Sequence, residues 1–262
     1  MAVIALLTDF GTRDHFVATM KGVILQIDAK ATIVDVTHEV DPQEIYAAAF
    51  TLRQVFPYFP EGTIFVVVVD PTVGTSRRVL ATRYSNRIVL APDNGVITLI
   101  HRDAELQEAR VVENRRFFAR SLSSTFHGRD VFAPVAAHLS KGVGLGALGP
   151  VADSLDLLEL AKPARAGNGA LSGAVVYVDR FGNLITNISA LDLSAANSPG
   201  RTLRVRVGDT DVGPVRIAYA DVPAGQFVAL IGSTQMLEVA VNQGSARDRL
   251  GVGRGAPVTV EP

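Results

Sequence analysis

The sequence predicts an α/β protein in two parts. Residues 1–160 read as a mainly parallel sheet flanked by helices, and residues 170–262 as a smaller antiparallel β-barrel-like domain. Three observations carry this. Apolar strand-like runs alternate with helical stripes through the N-terminal part, the pattern of right-handed strand–helix–strand units. Six apolar residues in a row, Ile64 to Val69, include four consecutive valines. Such a run without polar alternation suits a strand buried on both faces. After the linker-like stretch 161–169 the alternation gives way to short strands punctuated by turn residues.

In order, Val3 to Leu7 reads as the first strand and stops at Thr8-Asp9. A helix follows from Asp14, a candidate cap, with Phe16, Val17, Met20, Val23, Ile24 and Ile27 on one face. Thr32 to Val36 is the second strand. Asp41-Pro42 opens the next helix, whose buried stripe is Ile45, Ala48, Ala49, Leu52, Val55 and Phe56. The central strand, 64–69, ends at Asp70-Pro71, because proline cannot continue the ladder. Gly74 allows the chain to return, bringing Arg77 and Arg78 towards Asp70. Val79 to Thr82 and Arg87 to Leu90 make two further strands, the second running into Ala91-Pro92-Asp93-Asn94-Gly95. Asp9, Asp70 and Asp93 thus each close a strand, which predicts an acidic crevice along one sheet edge, where open α/β sheets bind ligands. Gln107 to Val112 reads as a strand, 115–125 as irregular, and Val131 to Leu139 as a helix just after Phe126-His127-Gly128-Arg129-Asp130. Gly144 to Gly149 has the spacing G-x-G-x-x-G, but it follows a helix and opens no strand–helix unit, so it is no dinucleotide site.

In the C-terminal part, residues 174–178, 203–207, 216–219, 227–231, 237–241 and 258–260 read as strands. Turn signals separate them, Ser198-Pro199-Gly200 among them. Two polar clusters interrupt the pattern, Asp179 to Asn183 with Thr186-Asn187, and Gly232-Ser233-Thr234 with Asn242 to Ser245.

Composition narrows the functional classes. Charges nearly cancel, with 25 basic against 26 acidic residues, and no basic block suggests nucleic acid. The chain has no cysteine, which removes disulfides, thiolate metal sites and a cysteine nucleophile, and which fits a cytoplasmic protein. No stretch has the roughly 20 apolar residues of a membrane span.

Six motifs occur in order: Thr8-Asp9-Phe10-Gly11-Thr12, Val69-Asp70-Pro71 with Gly74-Thr75, Ala91-Pro92 with Asn94-Gly95, Phe126 to Asp130, Phe181-Gly182-Asn183 with Thr186-Asn187, and Asn242 with Gly244-Ser245-Ala246. In these the chain resembles the S-adenosylmethionine hydroxide adenosyltransferases, the adenosine-forming S-adenosylmethionine hydrolases, which are relatives of fluorinating and chlorinating enzymes. The resemblance covers nearly the whole chain. It implies a homotrimer whose sites lie between the N-terminal domain of one subunit and the C-terminal domain of the next. It implies attack of water or hydroxide on ribose C5′ with loss of methionine, no cofactor, and a catalytic set falling on Asp70, Arg77 and His127. Asp9, with Gln43 beside it, would hold the ribose hydroxyls. Asp179 would hold the methionine ammonium and Ser233 its carboxylate, while Asn183 and the backbone around Gln243 would read adenine. Thr234 and Val241 depart from the halogenating pattern, which has arginine at both. Halogenating relatives also carry an aromatic residue in place of Asp70 and lack Arg77.

The chemistry suits these residue types. The leaving group departs as a neutral thioether, and attack on a sulfonium cation neutralises charge, so a dry site with an oriented nucleophile suffices. Two readings compete with hydrolysis beside the halogenase: a metallohydrolase with Asp9, Asp70, Asp93 and His127 as ligands, and a nucleoside-binding module that keeps Asp9 and Asn183 but has no use for Arg77.

Overall fold

The computed structural model describes residues 2–196 and 202–261; the expected turn at Ser198-Pro199-Gly200 lies outside them. The chain divides into two compact units, 1–159 and 160–262.

The N-terminal unit is a six-stranded sheet with helices. Its strands are β1 (Val3–Thr8), β2 (Thr32–Thr37), β3 (Ile64–Val68), β4 (Val79–Tyr84), β5 (Arg87–Pro92) and β6 (Leu106–Val111), in the order β2-β1-β3-β5-β4-β6. The pairings β1–β2, β1–β3 and β3–β5 are parallel, and β4 runs antiparallel to both of its neighbours. β3 therefore sits in the middle, and all five of its residues are buried. Burying a valine or phenylalanine side chain stabilises by about 1.5–3 kcal/mol, so the unbroken apolar run is what holds the centre of the sheet. Its alternate side chains serve opposite faces. Val66 and Val68 join Met20, Ile24 and Phe132 in one core cluster, contributed by α1 (Phe16–Ile27) and the segment ahead of α4 (Ala133–Ser140). On the other face the Phe65 ring lies 5.2 Å from Phe56 at the end of α2 (Ile45–Val55).

Several boundaries differ from the sequence expectation. α1 begins at Phe16 behind His15, with no side-chain cap, so Asp14 does not serve as one. α2 begins at Ile45 rather than at Asp41-Pro42, because Gln43 takes a left-handed conformation (φ 68°) that no helix admits. A short helix, α3 (Thr98–Asp103), follows the Asp93-Asn94-Gly95 turn and was not expected. The G-x-G-x-x-G stretch is a packing element: Gly149 has φ 154°, and a Cβ there would stand 2.2 Å from the Val111 carbonyl oxygen.

The C-terminal unit is a closed ring of seven strands. β8 (Leu171–Val178), β9 (Leu184–Ser189), β10 (Arg204–Val207), β11 (Thr210–Arg216), β12 (Phe227–Ile231), β13 (Met236–Val241) and β14 (Pro257–Glu261) follow the order β14-β10-β11-β12-β13-β9-β8, and β14 pairs with β8 to close it. β7 (Ala164–Arg165) is a short addition pairing with Ser172 and Leu171, so part of the linker-like stretch is a strand. The pairings are antiparallel except β11–β12, which is parallel. The strand expected at Arg216–Tyr219 ends at Arg216, and Tyr219 opens a 3-10 turn instead. β9 was hidden in a stretch that read as a polar turn, and two short helices, α5 (Ala190–Ala196) and α6 (Ala246–Leu250), follow stretches with no expected element.

Candidate active site

The site is built at the carboxyl end of β3. The Asn94 side chain donates from Nδ2 to the Val69 carbonyl at 2.9 Å and fixes the strand end. Asp70 then leaves the strand with its side chain almost wholly buried, 4% exposed. Arg77 returns after the Gly74 turn and donates to Asp70 Oδ2 from Nε at 2.8 Å and again from Nη2. Thr72 Oγ1 donates to the other carboxylate oxygen at 3.1 Å. The Arg77 side chain is itself only 8% exposed, and its guanidinium carbon stands 5.9 Å from the centre of the Phe132 ring.

His127 arrives from a segment 50 residues beyond Arg77. It precedes a π-helical turn, Gly128–Phe132, that runs straight into α4; such turns are rare and cluster at functional sites. Buried Asp130 anchors the approach, accepting from the Ser123 amide at 2.7 Å and from Arg129. The result is that His127 Nδ1 lies 2.9 Å from Arg77 Nη2. A guanidinium only donates, so Nδ1 accepts and the neutral ring carries its proton on Nε2. Burial, then the Arg77 charge, holds the imidazole pKa below its usual value, against the opposing pull of Asp70 and Asp130.

Asp70 and His127 share a cavity of about 370 Å³ with Asp9 and Gln43. Asp9 is half-buried and accepts from the Gln43 amide at 2.9 Å. Burial raises its pKa above the ordinary 3.8, and the negative charge of Asp70 adds to the rise. Apart from Thr125 the remaining wall is apolar. Phe10, Phe16 and Phe126 meet at centroid distances of 5.8, 6.0 and 5.2 Å, two of the three contacts edge-on. Of the three strand-end aspartates only two line this cavity. Asp93 is buried under Arg78, which donates to it at 2.9 and 2.6 Å, and it also accepts from the Asp156 amide at 2.8 Å. The acidic crevice is therefore shorter than expected, and Arg78 serves Asp93 rather than Asp70. Among the described residues no group of three His, Asp or Glu side chains is arranged to hold a metal.

The C-terminal unit gathers its own polar end. Asp179 accepts from the Phe181 and Asn183 amides, each at 2.9 Å, and from the Asn183 side chain at 2.9 Å. The Arg247 amide donates to the Gly182 carbonyl at 2.9 Å, which sets this loop against the Gln243–Ser245 turn. Asn183 and Gln243 thus belong to adjoining loops. Ser233 is exposed in the turn between β12 and β13.

A family profile for the SAM hydroxide adenosyltransferase N-terminal domain matches residues 4–149, and one for the C-terminal domain of the same family matches residues 173–259. The chain belongs to the SAM hydroxide adenosyltransferase family. It is 38% identical to the (R)-S-adenosyl-L-methionine hydrolase of Thermus thermophilus, over 98% of this chain and 99% of that one. It is 30% identical to the fluorinase of an Actinoplanes species, over 98% and 97% respectively. Among solved structures, an uncharacterised conserved protein from Thermotoga maritima superposes with a TM-score of 0.91 at 40% identity, covering 99% of this chain and all of that one.

Two groups were not foreseen from the sequence. The first is the Phe10–Phe16–Phe126 wall, because Phe16 also fits the helix stripe, and nothing local marks an aromatic as cavity-lining. The second is Tyr219 with Glu238: the phenol donates to a Glu238 carboxylate that is only 6% exposed. Burial pushes the Glu238 pKa up. A glutamate within the apolar run of β13 was the available signal.

Proposed function

We propose that the protein hydrolyses S-adenosyl-L-methionine to adenosine and L-methionine, with water attacking ribose C5′. The observation that carries this is the buried Asp70–Arg77–His127 contact on the cavity wall. A mere nucleoside binder has no use for a carboxylate, a guanidinium and an imidazole aligned beside the ribose-binding position.

The geometry divides the roles. His127 Nδ1 is engaged by Arg77, so His127 offers only its Nε2–H, which orients the water oxygen and stabilises it as it becomes hydroxide. Asp70 is the acceptor left for the proton, through the carboxylate oxygen that Arg77 does not occupy. Arg77 pairs with Asp70 and fixes both partners. As the C5′–oxygen bond forms and the C5′–sulfur bond breaks, the sulfonium charge disappears, and the water proton passes by way of Asp70 to solvent. The apolar aromatic wall keeps the dielectric low, which favours this neutralisation. Asp9 accepts from the ribose hydroxyls, with Gln43 beside it.

On this reading Asp179, Ser233, Asn183 and the Gln243 turn take the methionine and adenine ends, supplied by a neighbouring subunit of a homotrimer. No cofactor enters the scheme. No helix among the described residues is long and apolar enough to cross a membrane, and the cysteine-free composition accords with a cytoplasmic setting.

The test is to incubate pure protein with S-adenosylmethionine in ¹⁸O-water and analyse the products. Adenosine labelled at the 5′ oxygen, with methionine in equal amount, is expected. Label elsewhere, or 5′-chloro-5′-deoxyadenosine when chloride is supplied, would overturn the reading. Sedimentation paired with activity tests the assembly, since a fully active monomer contradicts a site shared between subunits.

A further inference from the structure

Behind Asp9 lies a second polar chain through Lys21, Asp35, His38 and Thr8, none of which lines the cavity. Lys21 Nζ donates to Asp35 Oδ2 at 2.6 Å. His38 Nε2 stands 3.0 Å from Asp35 Oδ1. His38 Nδ1 stands 2.9 Å from Thr8 Oγ1. The Phe10 amide donates to Thr8 Oγ1 at 3.2 Å. The donors run one way. The contact with Asp35 lies outside hydrogen-bond geometry, but the carboxylate charge at 3.0 Å favours the His38 proton on Nε2, the nitrogen that faces it. Nδ1 then accepts from the Thr8 hydroxyl, whose oxygen is left to accept from Phe10. The His38 carbonyl meanwhile accepts from the Gly11 amide at 2.7 Å. Thr8 is fully buried and His38 is 4% exposed, so neither finds water if the other is lost. Thr8 and Gly11 are tied to His38 directly, and Phe10 through Thr8. Gln43 restrains the carboxylate itself from the other side.

We propose that His38, acting through Thr8, is a positioning residue for the Asp9 carboxylate and so for selection of the ribose diol. This rests on Asp9 being the ribose acceptor. A hydroxyl pair is held well only by a carboxylate fixed in orientation, and freedom in the 8–11 turn would cost binding before chemistry.

Thr8→Val keeps the β-branched shape and removes the hydroxyl; Thr8→Ser keeps the hydroxyl. Both are assayed with S-adenosylmethionine and its 2′-deoxy analogue. In Thr8→Val, KM for S-adenosylmethionine should rise about tenfold, the scale of one lost buried hydrogen bond, with kcat nearly parental. Discrimination against the 2′-deoxy analogue should shrink by a similar factor, and Thr8→Ser should restore it. In an Asp9→Ala background Thr8→Val should change nothing further. Circular dichroism establishes folding. Asp35→Ala, at a partly exposed position, gives the same shift in smaller measure should Thr8→Val fold poorly. A folded Thr8→Val or Asp35→Ala protein with the parental discrimination ratio would overturn the brace while leaving Asp9 as ribose acceptor. A parent enzyme that turned over both substrates alike would overturn the Asp9 role and the brace with it.

Discussion

Arg77 Nη2 stands 2.9 Å from His127 Nδ1, so two groups that could each be cationic face one another beside a carboxylate. The contact survives because one partner is neutral. That fixes the histidine tautomer and makes the imidazole a donor on its water-facing side. Catalytic behaviour should follow from that single assignment.

A bidentate, planar donor is needed to hold Asp70 and His127 together. Lysine supplies the charge but not the fork. Arg77→Lys should therefore lower kcat about 10²- to 10³-fold, within the range for a displaced acid–base group, and change KM little. Steady-state kinetics on the folded variant checks this. A parental kcat would show that charge alone suffices.

The pH profile follows with its sign. Protonated His127 would have to turn an N–H towards Arg77, and burial already opposes the cation, so its pKa lies below 6.5. Activity limited by this ring should persist as pH falls through 6.5 and decline only below it. Residual activity in Arg77→Ala should decline at higher pH than the parent, because one of the depressing charges is gone. An unchanged acid limb would assign that limb to another group.

Much of this was legible in the sequence. The β3 run could be nothing but a central strand, and a charge followed by proline could only end it, so Asp70 at a sheet edge was readable from local chemistry. The return of Arg77 towards Asp70 was readable from the Gly74 turn, but His127 was readable only through the ordered motifs, since nothing in a lone histidine tells where a distant segment will fold. Asp93 looked equivalent to Asp9 and Asp70, but its partner, Arg78, is decided by the β4–β5 pairing, a tertiary fact. β9 was missed because Thr186 and Asn187 read as turn formers. Thr186 instead spends its hydroxyl on the Leu237 carbonyl at 2.9 Å and is fully buried.

The Gly74 turn is a second lever on the catalytic set. Gly74 has φ 82°, and a Cβ there would stand 2.3 Å from the Ser124 carbonyl oxygen, on the segment that leads to His127. Gly74→Ala must both strain the turn and push two catalytic loops apart. It should cost about 2 kcal/mol or more of stability and lower kcat. Gly62→Ala is the control, because Gly62 shares the positive φ (79°) but has nothing within 4 Å of the added carbon. It should cost only about 1 kcal/mol and leave kcat alone. Equal effects of the two substitutions, by thermal melting and kinetics, would remove the steric link between the turn and His127.

Asp9 should trade stability for binding. Its pKa is raised above 3.8, first by burial and then by the charge of Asp70, against the opposing Gln43 hydrogen bond. A carboxyl that holds its proton more tightly when folded adds stability fully below its unfolded value, and that stability is lost as pH rises through the folded value. At neutral pH the ionised group is therefore a net cost to the fold. Asp9→Asn removes the charge, while its amide oxygen can still accept from the Gln43 amide. The variant should melt at a higher temperature than the parent at pH 7, and the gain should shrink as pH falls towards 3.8 and below. The same variant should bind S-adenosylmethionine more weakly, because an amide offers one acceptor oxygen where a carboxylate offers two to the diol. Melting curves across pH together with KM check both halves. A variant with unchanged KM would show that Asp9 does not hold the ribose, and a variant destabilised at pH 7 would show that its charge is compensated in the folded protein.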